Sequence, residues 1–115
     1  MAIDKTLLAG STATLILKLL DTKDMYGYQI IEELARRSDD TFQLKAGTLY
    51  PLLHGLEKKG LLESYEEKAD SARVRKYYRL TGKGKKHLRE KTEEWNAYSS
   101  AVNKVLGGGL ACECF

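Results

Sequence analysis

The stretch AGTLYPLLHGLEKKGLLESY, residues 46–65, decides the fold, because a helical pattern changes to a strand pattern within it. At roughly 100° per residue, its leucines fall on one side of a helix and predict a face that packs into a core. This stripe consists of Leu49, Leu52, Leu53 and Leu56. Gly60 is typical of the residue after a helix C-terminus, which predicts a helix over about 46–59. Pro51 is tolerated best near a first turn, so the start stays open over 46–48.

A β-hairpin follows this helix in the predicted chain order. Residues 61–66 and 74–80 are short segments rich in strand-forming side chains, and the polar residues 68–73 separate them. The connection contains no Asn-Gly or Asp-Gly pair, so we expect it to be longer than a two-residue turn.

Helical patterns lie on both sides of this region. Apolar residues at helical spacing predict a first helix over 7–20 and a second from Tyr26 to about Ser38. Thr81 is a suitable N-cap for a long last helix. The order helix, helix, helix, hairpin, helix is that of a winged helix-turn-helix, a mainly α (α+β) fold whose third helix is the recognition helix. We therefore predict a winged helix-turn-helix domain over 1–81, a dimerisation helix over 82–106 and a flexible Gly/Cys tail over 107–115.

Length and composition indicate one compact domain and exclude several classes of protein. The chain has 115 residues, a single Pro and 43% hydrophobic residues. The longest nearly apolar run, residues 7–20, contains polar interruptions and is shorter than the roughly 20 apolar residues of a bilayer span. No cleavage-site pattern follows that run, so we expect a cytoplasmic protein with no membrane segment.

The charge is concentrated in one part of the chain. The net charge is only +3, but residues 73–91 hold nine basic side chains and one acidic side chain. A basic segment beside a recognition helix indicates contact with the phosphates of double-stranded DNA, although such a run can also be a solvated face. The predicted DNA contacts are Lys45, Thr48, Tyr50, His54, Lys58, Arg73, Arg75, Lys76, Lys83, Lys85 and Lys86.

The predicted recognition helix offers no arginine for guanine, so we expect DNA shape and backbone contacts to supply much of the selectivity. Two of its side chains have an alternative role. Tyr50 can instead pack against the wing, and His54 can be an ordinary surface histidine.

The last helix is too long for one small domain to cover. Its roughly 25 residues extend for about 37 Å, and apolar side chains recur along it every seven residues. A second copy of the chain is the economical partner for this stripe, since most soluble oligomers are symmetric. The predicted dimerisation residues are Leu88, Trp95, Tyr98, Val102 and Val105.

Four motifs in order resemble the PadR family of transcriptional regulators, over about residues 5 to 100. They are YGYQI (26–30), GTLYPLL (47–53), LEKKGLL (56–62) and RKYYRLT (75–81) with Gly84 following. The single C-terminal helix resembles the smaller subfamily. The resemblance implies a homodimeric repressor that binds an inverted-repeat operator and controls stress, detoxification or efflux genes. At the wing the family commonly has glycine where this chain has Ser71-Ala72, so we expect a less flexible wing tip here.

The resemblance also implies an effector site. Trp95 lies where some drug-sensing members place an aromatic side chain that faces the dimer partner, so a small hydrophobic effector is expected at Trp95, Leu8 and Tyr98. The alternative is that Trp95 only fills the dimer core.

Other chemistry finds little support in the sequence. A zinc site needs four ligands, and Cys112 and Cys114 supply only two thiols. A site would therefore need the tails of two chains to meet. No metal or cofactor is predicted. The two histidines have no nucleophile or carboxylate at a suitable spacing, and Gly82-Lys83-Gly84 is too short for a phosphate-binding loop, so we expect no enzymatic activity. The rival functions are a winged-helix module that docks an acidic protein partner and a small-molecule-binding dimer.

Overall fold

Four helices and a three-stranded antiparallel sheet form the fold. The computed structural model describes residues 5–68 and 73–107, with side chains from Gly10 onward in the first helix. The elements are α1 (Lys5–Thr22), β1 (Met25–Tyr26), α2 (Gly27–Arg37), α3 (Ala46–Lys58), β2 (Leu62–Lys68), β3 (Val74–Leu80) and α4 (Gly82–Leu106). The predicted winged helix-turn-helix with a long C-terminal helix is confirmed.

Some predicted features lie outside the described residues. They are the side chain of Leu8, the wing positions Ser71 and Ala72, and the tail with Cys112 and Cys114.

The sheet contains one strand that the sequence did not predict. Its order is β1-β3-β2, and β1 pairs with β3 through Met25 opposite Tyr78 and Tyr26 opposite Tyr77. The prediction that α2 begins at Tyr26 is therefore wrong, because Tyr26 is extended and α2 begins at Gly27. A two-residue strand forms through its pairing with β3 and has no periodicity of its own to detect.

The remaining bounds differ by small amounts. α1 is longer than the predicted 7–20, and β2 covers 62–68 in place of 61–66, whereas β3 and α4 agree with the prediction. α3 begins at Ala46, so Pro51 is its sixth residue. Because proline has no N–H, Pro51 cannot donate to the carbonyl of Gly47, four residues before it, so this turn lacks one helical hydrogen bond.

The core lies between α1, α2, α3 and the inner face of the sheet. Leu49, Leu53 and Leu56 of the predicted stripe are buried, and Leu52 is partly buried. α4 contributes Leu88 near its start, and most of the helix beyond that turn is exposed. Among the described residues, no helix is long and apolar enough to cross a membrane.

The start of α4 is attached to the end of α3. The Thr81 hydroxyl donates to the Gly60 carbonyl at 2.7 Å and accepts from the Gly84 N–H at 2.9 Å, which confirms the predicted N-cap. The Thr81 N–H donates to the Leu61 carbonyl at 3.1 Å. α4 and the recognition helix α3 are therefore coupled through one short junction.

Substitution of Gly84 by alanine tests how tightly this junction is packed. A Cβ at Gly84 would lie 2.2 Å from the Leu61 carbonyl oxygen and 2.7 Å from Leu80 Cδ1. We expect Gly84→Ala to lower the free energy of unfolding by about 1–3 kcal/mol, because backbone has to move. Gly82→Ala is the matched control, since nothing lies within 4 Å of its Cβ. Equal stability of the two variants in urea denaturation would contradict the close contact.

Candidate nucleic-acid interface

The predicted α3 residues lie on its exposed side. Tyr50, His54 and Lys58 recur every four residues and are all exposed, so they form one row along the helix. Lys45 is the N-cap residue, and Thr48 is exposed in the first turn. All five predicted side chains are therefore exposed, but only Tyr50, His54 and Lys58 share one face, because Thr48 lies about 160° around the helix from Tyr50.

Tyr50 also holds the two helices of the helix-turn-helix together. Its side chain is 41% exposed, yet its hydroxyl oxygen lies only 2.2 Å from where a Cβ at Gly27 would be. Only a glycine at the start of α2 leaves room for this contact. Burial raises the pKa of Tyr78, and Glu57 and Tyr50 nearby raise it further.

The same side of α3 is attached two turns further on to the wing, which is the hairpin of β2 and β3. Ser64 Oγ on β2 donates to Glu57 Oε2 on α3 at 2.6 Å. Glu57 also lines a shallow open depression with His54 and Lys58. The exposed row on α3 is thus fixed by α2 near its start and by the wing near its end.

The wing has two chemically different faces. Tyr78 and Leu80 point into the core, so Lys76 lies on the same side of β3, with its ammonium nitrogen 5.6 Å from the centre of the Tyr78 ring. Arg75 and Arg79 alternate with these residues and lie on the outer face. Arg75 and Lys76 are neighbours in the predicted basic run, and they therefore point to opposite faces of the sheet.

Not all basic side chains of residues 73–91 are free to contact DNA, because some of them are paired within the chain. Arg79 pairs with Glu63 at 2.9 Å, Lys91 pairs with Glu94 at 3.0 Å, and the Arg75 guanidinium lies over the Tyr26 ring. Within residues 5–68 and 73–107, the exposed basic side chains of this segment that form no salt bridge are Arg73, Lys76, Lys83, Lys85, Lys86 and Arg89.

The predicted dimerisation residues divide into two groups. Trp95, Tyr98 and Val105 are exposed, Val102 is partly buried, and the Trp95 and Tyr98 ring centres are 6.0 Å apart. The prediction of Leu88 as a dimerisation residue needs correction, because its side chain is only 5% exposed and belongs to the core of its own chain. It has almost no surface left for a partner.

The sequence prediction missed one exposed aromatic residue of the helix-turn-helix. Tyr28 is the second residue of α2 and is 60% exposed, directly after the Gly27 that Tyr50 contacts. Its position outside the helical stripe of Ile30, Ile31 and Leu34 is the signal that could have identified it, because an aromatic side chain there points away from the core.

Comparison with known proteins assigns the chain to a family. The sequence profile of the Transcriptional regulator PadR-like family matches residues 16–90, which include β1, the helix-turn-helix and the wing. This chain belongs to the PadR-like family. It is therefore a transcriptional regulator with a winged helix-turn-helix of the DNA-binding type, and not an enzyme.

Solved structures and a curated relative agree with this assignment. A transcriptional regulator from Clostridium thermocellum is 35% identical and covers 90% of this chain and 97% of its own, with a TM-score of 0.82. A PadR family regulator from Eggerthella lenta is also 35% identical and covers 90% of this chain and 88% of its own, with a TM-score of 0.78. The transcriptional regulator Rv3488 of Mycobacterium tuberculosis is 38% identical over 74% of this chain and 73% of its own length.

Proposed function

We propose that this PadR-like protein is a homodimeric repressor that binds an inverted-repeat operator, with α3 of each protomer in the major groove. The observation that carries the proposal is the exposed row of Tyr50, His54 and Lys58 on α3, which α2 contacts near its start and the wing near its end. Hydroxyl, imidazole and ammonium groups in such a row can hydrogen-bond to base edges and phosphates.

Basic residues next to this row supply the backbone contacts in the proposal. Lys45 lies at the start of α3, Arg73 and Lys76 lie on the wing, and the Lys83, Lys85 and Lys86 group lies at the start of α4. Tyr28 joins them as a further proposed contact, because the first helix of a helix-turn-helix crosses the DNA backbone and this tyrosine is exposed there.

A second copy of the chain is the proposed partner of α4. Trp95, Tyr98 and Val105 leave an apolar stripe in water that the chain's own core does not cover. A twofold dimer through this stripe would present two α3 rows to two half-sites about 34 Å apart.

The same stripe supports a small hydrophobic effector that relieves repression. Trp95 is 53% exposed and lies beside Tyr98, so a flat apolar ligand between two such pairs would bury aromatic surface. Because Trp95 is the single Trp of the chain, its fluorescence reports on this site directly. We expect planar cationic drugs to quench it in the wild type, with saturation, and unchanged fluorescence would remove the effector from the proposal.

Titration with DNA tests the main proposal. Fluorescence anisotropy would compare a duplex from the region upstream of the gene with a shuffled duplex of the same composition, followed by footprinting of the bound region. We expect tighter binding to the upstream duplex and protection of two half-sites. Equal affinity for both duplexes would contradict sequence-specific regulation. Binding to neither would favour the rival function, docking to an acidic protein partner.

A further inference from the structure

The outer face of the wing is built from three tyrosines and two arginines. Tyr26 of β1 meets the Tyr77 ring edge to face, with ring centres 5.4 Å apart and an interplanar angle of 76°. On the other side Tyr65 stacks on Tyr77, with ring centres 5.6 Å apart and planes within 14° of parallel. The three rings form a continuous layer across all three strands.

Each end of this tyrosine layer is covered by a guanidinium. The Arg75 guanidinium carbon is 4.4 Å from the centre of the Tyr26 ring, and that of Arg79 is 5.0 Å from the centre of the Tyr65 ring. Arg79 is held in addition by Glu63, which accepts from its Nε at 2.9 Å. Both distances are within the range of a cation–π contact.

The tyrosine layer joins the wing to the start of the helix-turn-helix. Tyr26 is the residue directly before α2, so the contact with Arg75 links the wing to the helix that packs on α3. The Tyr65 hydroxyl donates to Asp24 Oδ2 at 2.7 Å, which attaches β2 to the segment between α1 and β1. This hydrogen bond, together with burial and the charges of Asp24 and Glu67, raises the pKa of Tyr65 to about 12.

The position of Arg75 distinguishes it from its neighbours on β3. Lys76 lies on the α3 side of the sheet, and Arg73 lies just before β3 begins. Arg75 is partly buried on the opposite face and already lies on an aromatic ring. Its guanidinium is therefore occupied within the protein, whereas the other two cations are exposed.

We propose that Arg75 is a positioning residue whose contact with Tyr26 fixes the angle of the wing, so that Arg73 and Lys76 reach the DNA backbone. This replaces the sequence-based prediction that Arg75 itself contacts phosphate. The inference rests on the proposed DNA-binding function, because it concerns the placement of DNA contacts.

The test compares the affinity and salt dependence of Arg75→Ala with those of Tyr26→Leu, which removes the ring but no charge. Each phosphate contact adds about 0.9 to the slope of log affinity against log salt concentration, which we call the salt slope. Loss of the Arg73 and Lys76 contacts together should therefore lower the salt slope by about 1.8 per protomer and weaken binding roughly 30-fold per protomer near 0.15 M salt. We expect both single variants to show this loss, and the double variant to be no weaker. Tyr26→Phe keeps the ring and should bind like the wild type.

A second background separates positioning from direct contact. In Arg73→Ala/Lys76→Ala, where the wing contacts are already removed, we expect Arg75→Ala to change affinity less than twofold. If Arg75 contacts phosphate itself, Arg75→Ala should lower the slope by a further 0.9 or so per protomer in that background. That result would overturn the positioning role alone. Failure of the wild type to bind any duplex would overturn the proposed function as well, and the last comparison needs no variant of Tyr26 to fold.

Discussion

Replacement of Lys83, Lys85 and Lys86 together by alanine is expected to weaken binding to every DNA duplex by at least roughly 100-fold near 0.15 M salt. Each phosphate contact contributes about 0.9 to the slope of log affinity against log salt, so the slope should fall by about 2.7 per protomer. The three side chains are exposed and form no salt bridge within the described residues. Because phosphates are the same in all sequences, specific and shuffled duplexes should lose affinity alike.

The location of these lysines argues against a role in folding. They lie in the first turns of α4, where the unpaired N–H groups already carry partial positive charge, and the first turn holds no acidic residue. Their charges therefore oppose the helix dipole, and their removal should leave the free energy of unfolding unchanged or slightly higher. The Thr81 cap and the Gly84 contact with Leu61 remain in the variant and keep α4 beside the end of α3.

Two control variants show whether charge and location are responsible. Replacement of the same three lysines by arginine keeps the charge and should retain the salt slope. Lys104→Ala removes one charge near the far end of α4, where Lys104 is exposed, and should bind like the wild type. Gel-shift or anisotropy titrations at several salt concentrations measure all three variants. An unchanged slope in the alanine variant would place these lysines outside the interface.

The order of elements was predictable because it depends on local sequence. The apolar stripe of α3, the Thr81 cap and the alternation in β3 are each written in adjacent residues, and the structure contains all three. Alternation also implies that Arg75 and Lys76 point to opposite faces, a consequence that a count of charges along the chain conceals.

The contacts that adjust the site depend on residues far apart in the sequence. The meeting of Tyr50 with Gly27 requires the angle between α2 and α3, and the pairing of Arg79 with Glu63 requires the register of β2 on β3. Leu88 shows the same limit, because it continues the heptad of Trp95 and Val102 yet lies within the core of its own chain. Periodicity identifies an apolar face but not which partner covers each part of it.

Tyr98→Asp is expected to convert the proposed dimer into a folded monomer. The Tyr98 ring is 60% exposed in the single chain, so the substitution removes little from the core, which ends near Leu88. In a dimer the same position would bury a carboxylate against the apolar stripe of the partner without a compensating charge, which is strongly unfavourable. Light scattering after size exclusion measures the mass, and urea denaturation measures the remaining stability.

Loss of the dimer should weaken operator binding by a factor of 10² to 10⁴, because the second half-site contact is no longer intramolecular. Ser100→Asp is the matched control: it is exposed on the same helix and lies about 160° around it from Tyr98. We expect this control to remain dimeric and to bind operator normally. The monomer should bind a single half-site with about half the salt slope of the dimer, since its α3 row and basic residues are intact. A Tyr98→Asp variant that keeps the mass and the operator affinity of the wild type would exclude this face of α4 as the dimer interface, and the separation of the two α3 helices would then have to be set by another surface.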